Sequence, residues 1–220
     1  VVVSPMLDDE GGVSKILAIS RDITVQRGVA AEAKWVSEHD QLTGLPNRRQ
    51  FNETRRAEWQ RALRQHEPLA LLIVDIDDFK KFNDDRGHGD GDRCLATVAG
   101  SIQNTLLRPG DFCARYGGDE FIVLLPNTAI DGALHIAERM RSNVHALAIA
   151  HAESTDGTIT VSIGVAALTP NTDDDGRLFE AADAALYNAK NLGRNRVETA
   201  EIATQPQSRD RDTPVDSLHQ

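Results

Sequence analysis

The chain has 220 residues, 40% hydrophobic and 26% charged, enough for one substantial core with appendages. Its formal net charge of −10 argues against a duplex nucleic-acid binder, which needs a basic face, but does not exclude a nucleotide substrate held by local cations. No run approaches the ~20 apolar residues of a membrane span, and no signal peptide is visible.

The chain starts at Val1 rather than at a methionine, so it is expected to be a piece of a longer protein. Residues 1–24 read as a β-hairpin: residues 8–12 are turn chemistry, and Ile16–Ile19 is a short strand ending at Ser20-Arg21-Asp22-Ile23-Thr24. That ending resembles the exit of a PAS sensor domain, which implies a C-terminal sensor remnant, since two strands bury no core of their own. Residues 25–39 have helical composition, with Val25, Val29 and Val36 near a coiled-coil seam but Glu32 and Gly28 weakening it. Both a solvated linker helix and a parallel dimer stalk stay open.

From residue 40 to 198 the pattern is that of a compact domain. Asn47 to about Gln65 reads as a helix and Leu69–Val74 as a buried strand. Asp92–Leu107 is helical, with Leu95, Val98, Ala99, Ile102 and Leu106 on one face and Asp92 as a candidate N-cap. Phe112–Leu125 is a two-strand hairpin, followed by a helix with Ala133, Ala137, Met140 and Val144 in register. Alternating Ile159, Val161, Ile163 and Val165 mark another strand, and Leu178 to Ala189 the last long helix. The order strand-helix-hairpin-helix-strand predicts an α+β fold: a ferredoxin-like split β-α-β core whose central antiparallel sheet is flanked by helices. Residues 199–220 turn to Gln, Pro, Ser, Arg and Asp and are expected to be disordered. Cys94 and Cys113 lie in apolar stretches without metal-ligand spacing and read as buried thiols of a reducing, cytoplasmic compartment; a membrane tether on the longer parent stays open.

Chemistry concentrates at two acidic turns. In Arg115-Tyr116-Gly117-Gly118-Asp119-Glu120-Phe121, two glycines force a tight turn and two acids follow before the apolar run Phe121–Leu125. Adjacent carboxylates at a hairpin tip pack poorly but suit gripping a divalent cation or taking a proton. Asp75-Ile76-Asp77-Asp78-Phe79-Lys80 directly follows the strand Leu69–Val74, where alternation sends Asp75 and Asp77 to the same side. A lone Asp after a strand is ordinarily a cap or a solvated turn. Three acids and a lysine in six residues, matched by a second acidic turn, favour a site.

The full spacing Asp75-Ile76-Asp77-x-Phe79-Lys80-x-x-Asn83-Asp84-x-x-Gly87-His88-x-x-Gly91-Asp92 resembles the first motif of the GGDEF family, the diguanylate cyclases, and the Gly117–Phe121 turn resembles its signature. Leu42-Thr43-Gly44-Leu45-Pro46-Asn47-Arg48-Arg49 is similar to its opening motif. Thr160–Ala166 and Ala182-Asp183-x-Ala185-Leu186-Tyr187-x-Ala189-Lys190-x-x-Gly193-Arg194-Asn195-Arg196-Val197 resemble its later ones. Five motifs in the family's order cover about residues 40–198. The resemblance implies the palm architecture shared with class III nucleotide cyclases.

The resemblance implies that Asp75, the Ile76 carbonyl and Asp119 hold two Mg²⁺ or Mn²⁺ ions per active site. Lys80, Lys190 and Arg194 would neutralise triphosphate charge, the last two lying one turn apart on the last helix. Asn83 and Asp92 are the implied guanine readers, with Phe79 and His88 in the same pocket; His88 is better suited to ordering the Gly87–Gly91 loop than to catalysis. An unpaired buried carboxylate at Asp92 would discriminate against adenine by roughly 10⁴. Lys80, Asp119 and Glu120 are the catalytic candidates, and either of the two acids is placed to act as base. The implied reaction joins two GTP into cyclic di-GMP across a homodimer, with no nucleic acid and no direct membrane contact from this segment. Arg108-Pro109-Gly110-Asp111 has the spacing of the family's product-inhibition motif, and Arg139 matches a second arginine there; His135 stands one turn earlier, where some relatives carry arginine. Two other readings stay open: an inactive module that binds GTP or cyclic di-GMP, and a cyclase making a mixed dinucleotide.

Overall fold

The computed structural model describes residues 2–8, 10–19, 32, 34–172 and 174–200. β1 (Val2–Leu7) and β2 (Val13–Ile19) form the expected antiparallel hairpin. Asp8 shapes its turn, accepting from the Gly12 N–H at 2.7 Å and the Glu10 N–H at 3.1 Å. The Ser20–Thr24 stretch, most of the linker reading and residues 201–220 lie outside the described residues; residues 34–38 are helical.

β3 (Leu69–Ile76) is the middle of a five-stranded sheet. β4 (Phe112–Gly117) and β5 (Glu120–Pro126) lie to one side of it, β6 (Val161–Leu168) and β7 (Val197–Thr199) to the other, in the order β4-β5-β3-β6-β7. Neighbours are antiparallel except β6 and β7, which are parallel. Among the described residues five helices accompany the sheet: α1 (Arg48–Gln65), α2 (Phe79–Arg86), α3 (His88–Thr105), α4 (Ile130–His145) and α5 (Gly176–Asn191).

Alternation along the strands explains the layers. Ala70, Leu72 and Val74 of β3, with Phe121, Val123 and Leu125 of β5, share one core with Val98 and Ile102 of α3 and Ala137 and Met140 of α4. Leu69, Leu71 and Ile73 share the opposite core with Phe51 and Trp59 of α1 and Leu178, Ala182 and Leu186 of α5. Covered on both faces, β3 is buried throughout and is apolar from Leu69 to Val74. α5 sits backbone against backbone on β6: a Cβ on Gly164 would lie 2.1 Å from the Ala182 carbonyl oxygen.

The α+β class and the helix-flanked, mostly antiparallel sheet are as expected. Two local readings are corrected, and one helix is added. The helix expected from Asp92 begins at His88, so Asp92 is inside it and caps nothing; Gly87 holds the cap position. Residues 79–86, given no element from sequence, form the helix α2, anchored by buried Phe79 and Phe82 whose rings stack at 6.1 Å. The strand Val197–Thr199 pairs with β6, so Thr199, expected to open the tail, still belongs to the sheet.

Candidate active site

The site grows from the register of the central strands. Asp75, the seventh residue of β3, pairs with Glu120 on β5 and with Ser162 on β6. The β4–β5 hairpin turns through Gly118, whose φ of +53° is cheap for glycine and unfavourable for a residue with a Cβ. Gly117 pairs with Glu120, so Gly118 and Asp119 form a two-residue loop beside the end of β3, and the Ile76 N–H approaches the Asp119 carbonyl at 3.4 Å. The two acidic turns therefore meet at one end of the sheet.

The resulting cleft, about 330 Å³, is lined by Asp75, Ile76, Asp77, Asp78, Phe79, Lys80, Asp119, Lys190 and Arg194. Lys190 Nζ stands 2.8 Å from Asp75 Oδ2, and Arg194 Nε stands 3.6 Å from Asp78 Oδ2. Burial pushes the Asp75 carboxyl up to about 6; Lys190 works against this, and Asp119 and Glu120 add to it. Like charges opposed on neighbouring strands destabilise a sheet, so this end of the sheet favours a cation. Among the described residues no group of three or more His, Cys, Asp or Glu side chains forms a ready-made metal cage. The donors are hard oxygens in negative surroundings, and they fit a divalent ion whose remaining ligands come from a phosphate.

A second cleft of about 440 Å³ adjoins the first, lined by Phe79, Lys80, Asn83, Asp84, His88, Leu95, Arg115, Gly118 and Asp119. Lys80, Phe79 and Asp119 border both. Asn83 Oδ1 is buried there without a hydrogen-bond partner, an acceptor waiting for a donor. His88 and Leu95 put the first two turns of α3 along this cleft. Asp92, between them, is exposed and not part of the lining.

Asp77 borders the same cleft as Asp75, as alternation predicts, but it is 3% exposed and its carboxylate accepts from the Thr160 and Ser162 hydroxyls and from the Asn195 N–H. One sequence expectation changes here. Arg194 is not on the last helix; α5 stops at Asn191, and Gly193 and Arg194 both have positive φ.

Sequence reasoning missed the pair Asp40–Arg115. Arg115 Nη1 donates to both Asp40 oxygens at 3.0 and 3.1 Å, while its Nε and Nη2 donate to the Gly118 carbonyl at 3.0 and 2.7 Å. One guanidinium thus ties the start of the domain to the acidic turn. Burial pushes the Asp40 carboxyl up, but hydrogen bonds from Thr43 and Arg115 outweigh it and hold the group below its ordinary range. The signal was an arginine inside the signature turn, where only the glycines and acids drew notice.

A third hollow of about 360 Å³ is lined by Leu107, Arg108, Asp111, Thr128, Gly132, His135, Ile136 and Arg139. It joins the Arg108–Asp111 turn to α4. Asp111 Oδ2 accepts from the Arg108 N–H at 3.3 Å, and Arg139 Nη2 donates to the Thr105 carbonyl at 2.7 Å. Cys94 and Cys113 are free and buried, and burial pushes their thiols up to about 11 and about 12. Among the described residues no helix is long and apolar enough to cross a membrane.

The family described as "Diguanylate cyclase, GGDEF domain" matches residues 37–196. The chain is 43% identical over 161 residues to the diguanylate cyclase DgcP of Pseudomonas aeruginosa, covering 73% of this chain and 24% of that protein. It is 40% identical over 185 residues to the diguanylate cyclase DgcM of Escherichia coli, covering 84% of this chain and 44% of that protein. The chain thus spans less than half the length of these curated relatives. Among solved structures, the coiled coil and GGDEF domain of DgcB from Caulobacter crescentus, in complex with c-di-GMP, superposes with a TM-score of 0.74 at 34% identity, covering 81% of this chain and 93% of that one. With its acidic turns, helix-flanked sheet and matched motifs, the chain belongs to the GGDEF-domain diguanylate cyclase family.

Proposed function

We propose that residues 40–198 form a diguanylate cyclase domain that condenses two GTP into cyclic di-GMP and two pyrophosphates across a homodimer. The observation that carries this reading is the meeting of Asp75 with the Asp119–Glu120 turn beside the cleft that holds the unpartnered Asn83 Oδ1. The relatives' printed activities and the bound c-di-GMP of DgcB support it.

In this reading the 3′-hydroxyl oxygen of one GTP attacks the α-phosphorus of the other. The bond to pyrophosphate breaks, and the hydroxyl proton passes to a carboxylate of the Asp119–Glu120 pair. The same step in the opposite direction closes the ring. Asp75, the Ile76 carbonyl and Asp119 would hold two Mg²⁺ or Mn²⁺ ions, which when bound neutralise phosphate charge and acidify the attacking hydroxyl. Lys80, Lys190 and Arg194 orient the triphosphate and stabilise charge gathering on its oxygens. Phe79, Asn83, His88 and Asp92 receive the guanine. Asp92 reaches the base by turning in from the exposed face of α3.

The Arg108–Asp111 turn with Arg139 is read as a product-binding site that inhibits turnover. Residues 1–24 are read as the end of a PAS sensor and residues 25–39 as a stalk joining two chains. Trp35 and Val36, 46% and 48% exposed in the described end of that segment, support an apolar seam.

Incubation with GTP and Mg²⁺ followed by chromatography tests the reaction. Cyclic di-GMP is the expected product, lost by a factor of about 10² or more in Asp119→Ala. GTP binding without any dinucleotide would leave a binding module in place of an enzyme. Arg108→Ala is expected to keep turnover and relieve inhibition by product; undiminished inhibition would remove the regulatory reading.

A further inference from the structure

Three successive residues beyond α5 have positive φ: Gly193 at +112°, Arg194 at +63° and Asn195 at +46°. Glycine takes this region freely and asparagine tolerates it. Arginine does so only when its surroundings insist. The constraint is visible at Asn195, held from three directions. Its N–H donates to Asp77 Oδ2 at 3.1 Å, its Nδ2 donates to Asp156 Oδ2 at 2.9 Å, and its Oδ1 accepts from Arg141 Nη1 at 2.6 Å.

Asp77 is the buried end of this arrangement. Its Oδ2 also accepts from the Thr160 hydroxyl at 2.7 Å and its Oδ1 from the Ser162 hydroxyl at 2.6 Å, while its N–H donates to the Thr160 carbonyl at 3.0 Å. Every one of these partners belongs to the protein, and the carboxylate is engaged on both oxygens. One side chain therefore locks together the end of β3, the start of β6 and the turn that follows α5. The residue just before that anchored asparagine is Arg194, whose side chain is 46% exposed, borders the acidic cleft and brings Nε to 3.6 Å from Asp78 Oδ2.

We infer that Asp77 is a positioning residue for triphosphate binding: through the Asn195 N–H it holds the left-handed turn that aims Arg194 into the acidic cleft. The inference rests on the reading of Arg194 as a phosphate partner. It gives the second aspartate of the Asp75-Ile76-Asp77 run a task separate from that of Asp75, which faces the hairpin and Lys190. With both carboxylate oxygens taken up by Thr160, Ser162 and Asn195, Asp77 is assigned no direct contact with the triphosphate, and its effect on binding is assigned to Arg194, so the two residues are coupled.

A double-mutant cycle reads that coupling. The probes are the Mg²⁺ complex of guanosine 5′-(β,γ-imido)triphosphate and, as a ligand lacking the β- and γ-phosphates, GMP. Dissociation constants are measured for the wild-type chain, Asp77→Asn, Arg194→Ala and the double variant. Asn195→Pro, which removes the N–H that Asp77 holds and leaves the anchorage of Asp77 on β6 intact, carries the same test should Asp77→Asn fail to fold. Asp77→Asn and Asn195→Pro should each weaken triphosphate binding about 5- to 10-fold and GMP binding less than about 2-fold. In the Arg194→Ala background the further loss should shrink below about 2-fold. Equal losses in both backgrounds, or equal losses for both ligands, would make Asp77 a general staple and overturn the inference. An Arg194→Ala chain that binds the triphosphate as tightly as wild type would instead remove the reading of Arg194, and the inference with it.

Discussion

A carboxylate at the end of a fully buried strand, opposed by two more acids, needs a counter-charge, and Lys190 supplies it to Asp75 at 2.8 Å. The compensation is incomplete, because burial still leaves the carboxyl at about 6 against an ordinary 3.8. An acid whose folded pKa is raised binds its proton more tightly in the folded state, so stability is lost as pH rises from 3.8 through about 6. Above that window the ionised group costs the fold about 3 kcal/mol. Replacing Asp75 by Asn removes that cost and removes a proposed metal ligand together. Asp75→Asn is therefore expected to abolish cyclase activity while raising the melting temperature by several degrees in metal-free buffer at pH 7.5. The gain should fade on acidification toward pH 4, where the wild-type carboxyl is also neutral. A melting temperature that falls at pH 7.5 would mean that the Lys190 pair outweighs burial.

Between elements, α5 packs on β6 backbone against backbone. A methyl group at Gly164 would meet the Ala182 carbonyl oxygen at 2.1 Å and the Leu186 nitrogen at 2.3 Å, both backbone atoms with no rotamer to yield. Gly164→Ala should cost about 3 kcal/mol or more, read from the urea midpoint. Because α5 carries Lys190, activity should fall with it; a cost under about 1 kcal/mol would show that α5 can slide along the sheet. Packing of this kind also decides which elements could be read in advance. β3 announced itself because both its faces are covered, and α3, α4 and α5 because each buries one periodic stripe. α2 did not, since Lys80, Lys81, Asn83, Asp84 and Asp85 leave only Phe79 and Phe82 as apolar residues, too few for a periodic stripe. The acidic turns, the cationic helix end and the Arg108 turn were legible as motifs. The tie from Arg115 to Asp40 spans 75 residues and follows no period, so three-dimensional contact alone reveals it.

At the scale of the whole molecule, each chain brings Asp75, the Asp119–Glu120 turn and its cationic partners together once. A cyclic dinucleotide needs two opposed displacements, each with its own activated hydroxyl and its own triphosphate. If one such site faces one nucleotide, as proposed, the complete machine would be a pair of chains facing each other across their clefts. Turnover is then second order in protein until the pair is saturated, and specific activity should climb in proportion to concentration over the dilute range. Mixing sharpens this expectation. When pairing is saturated and partners exchange freely, a tenfold excess of Asp119→Ala chain leaves each wild-type chain facing a competent partner about one time in eleven, and wild-type activity should drop accordingly. Specific activity that stays flat over a hundredfold dilution, with no suppression by the inactive chain, would mean that one chain closes the ring unaided and that its single acidic cleft serves both displacements in turn.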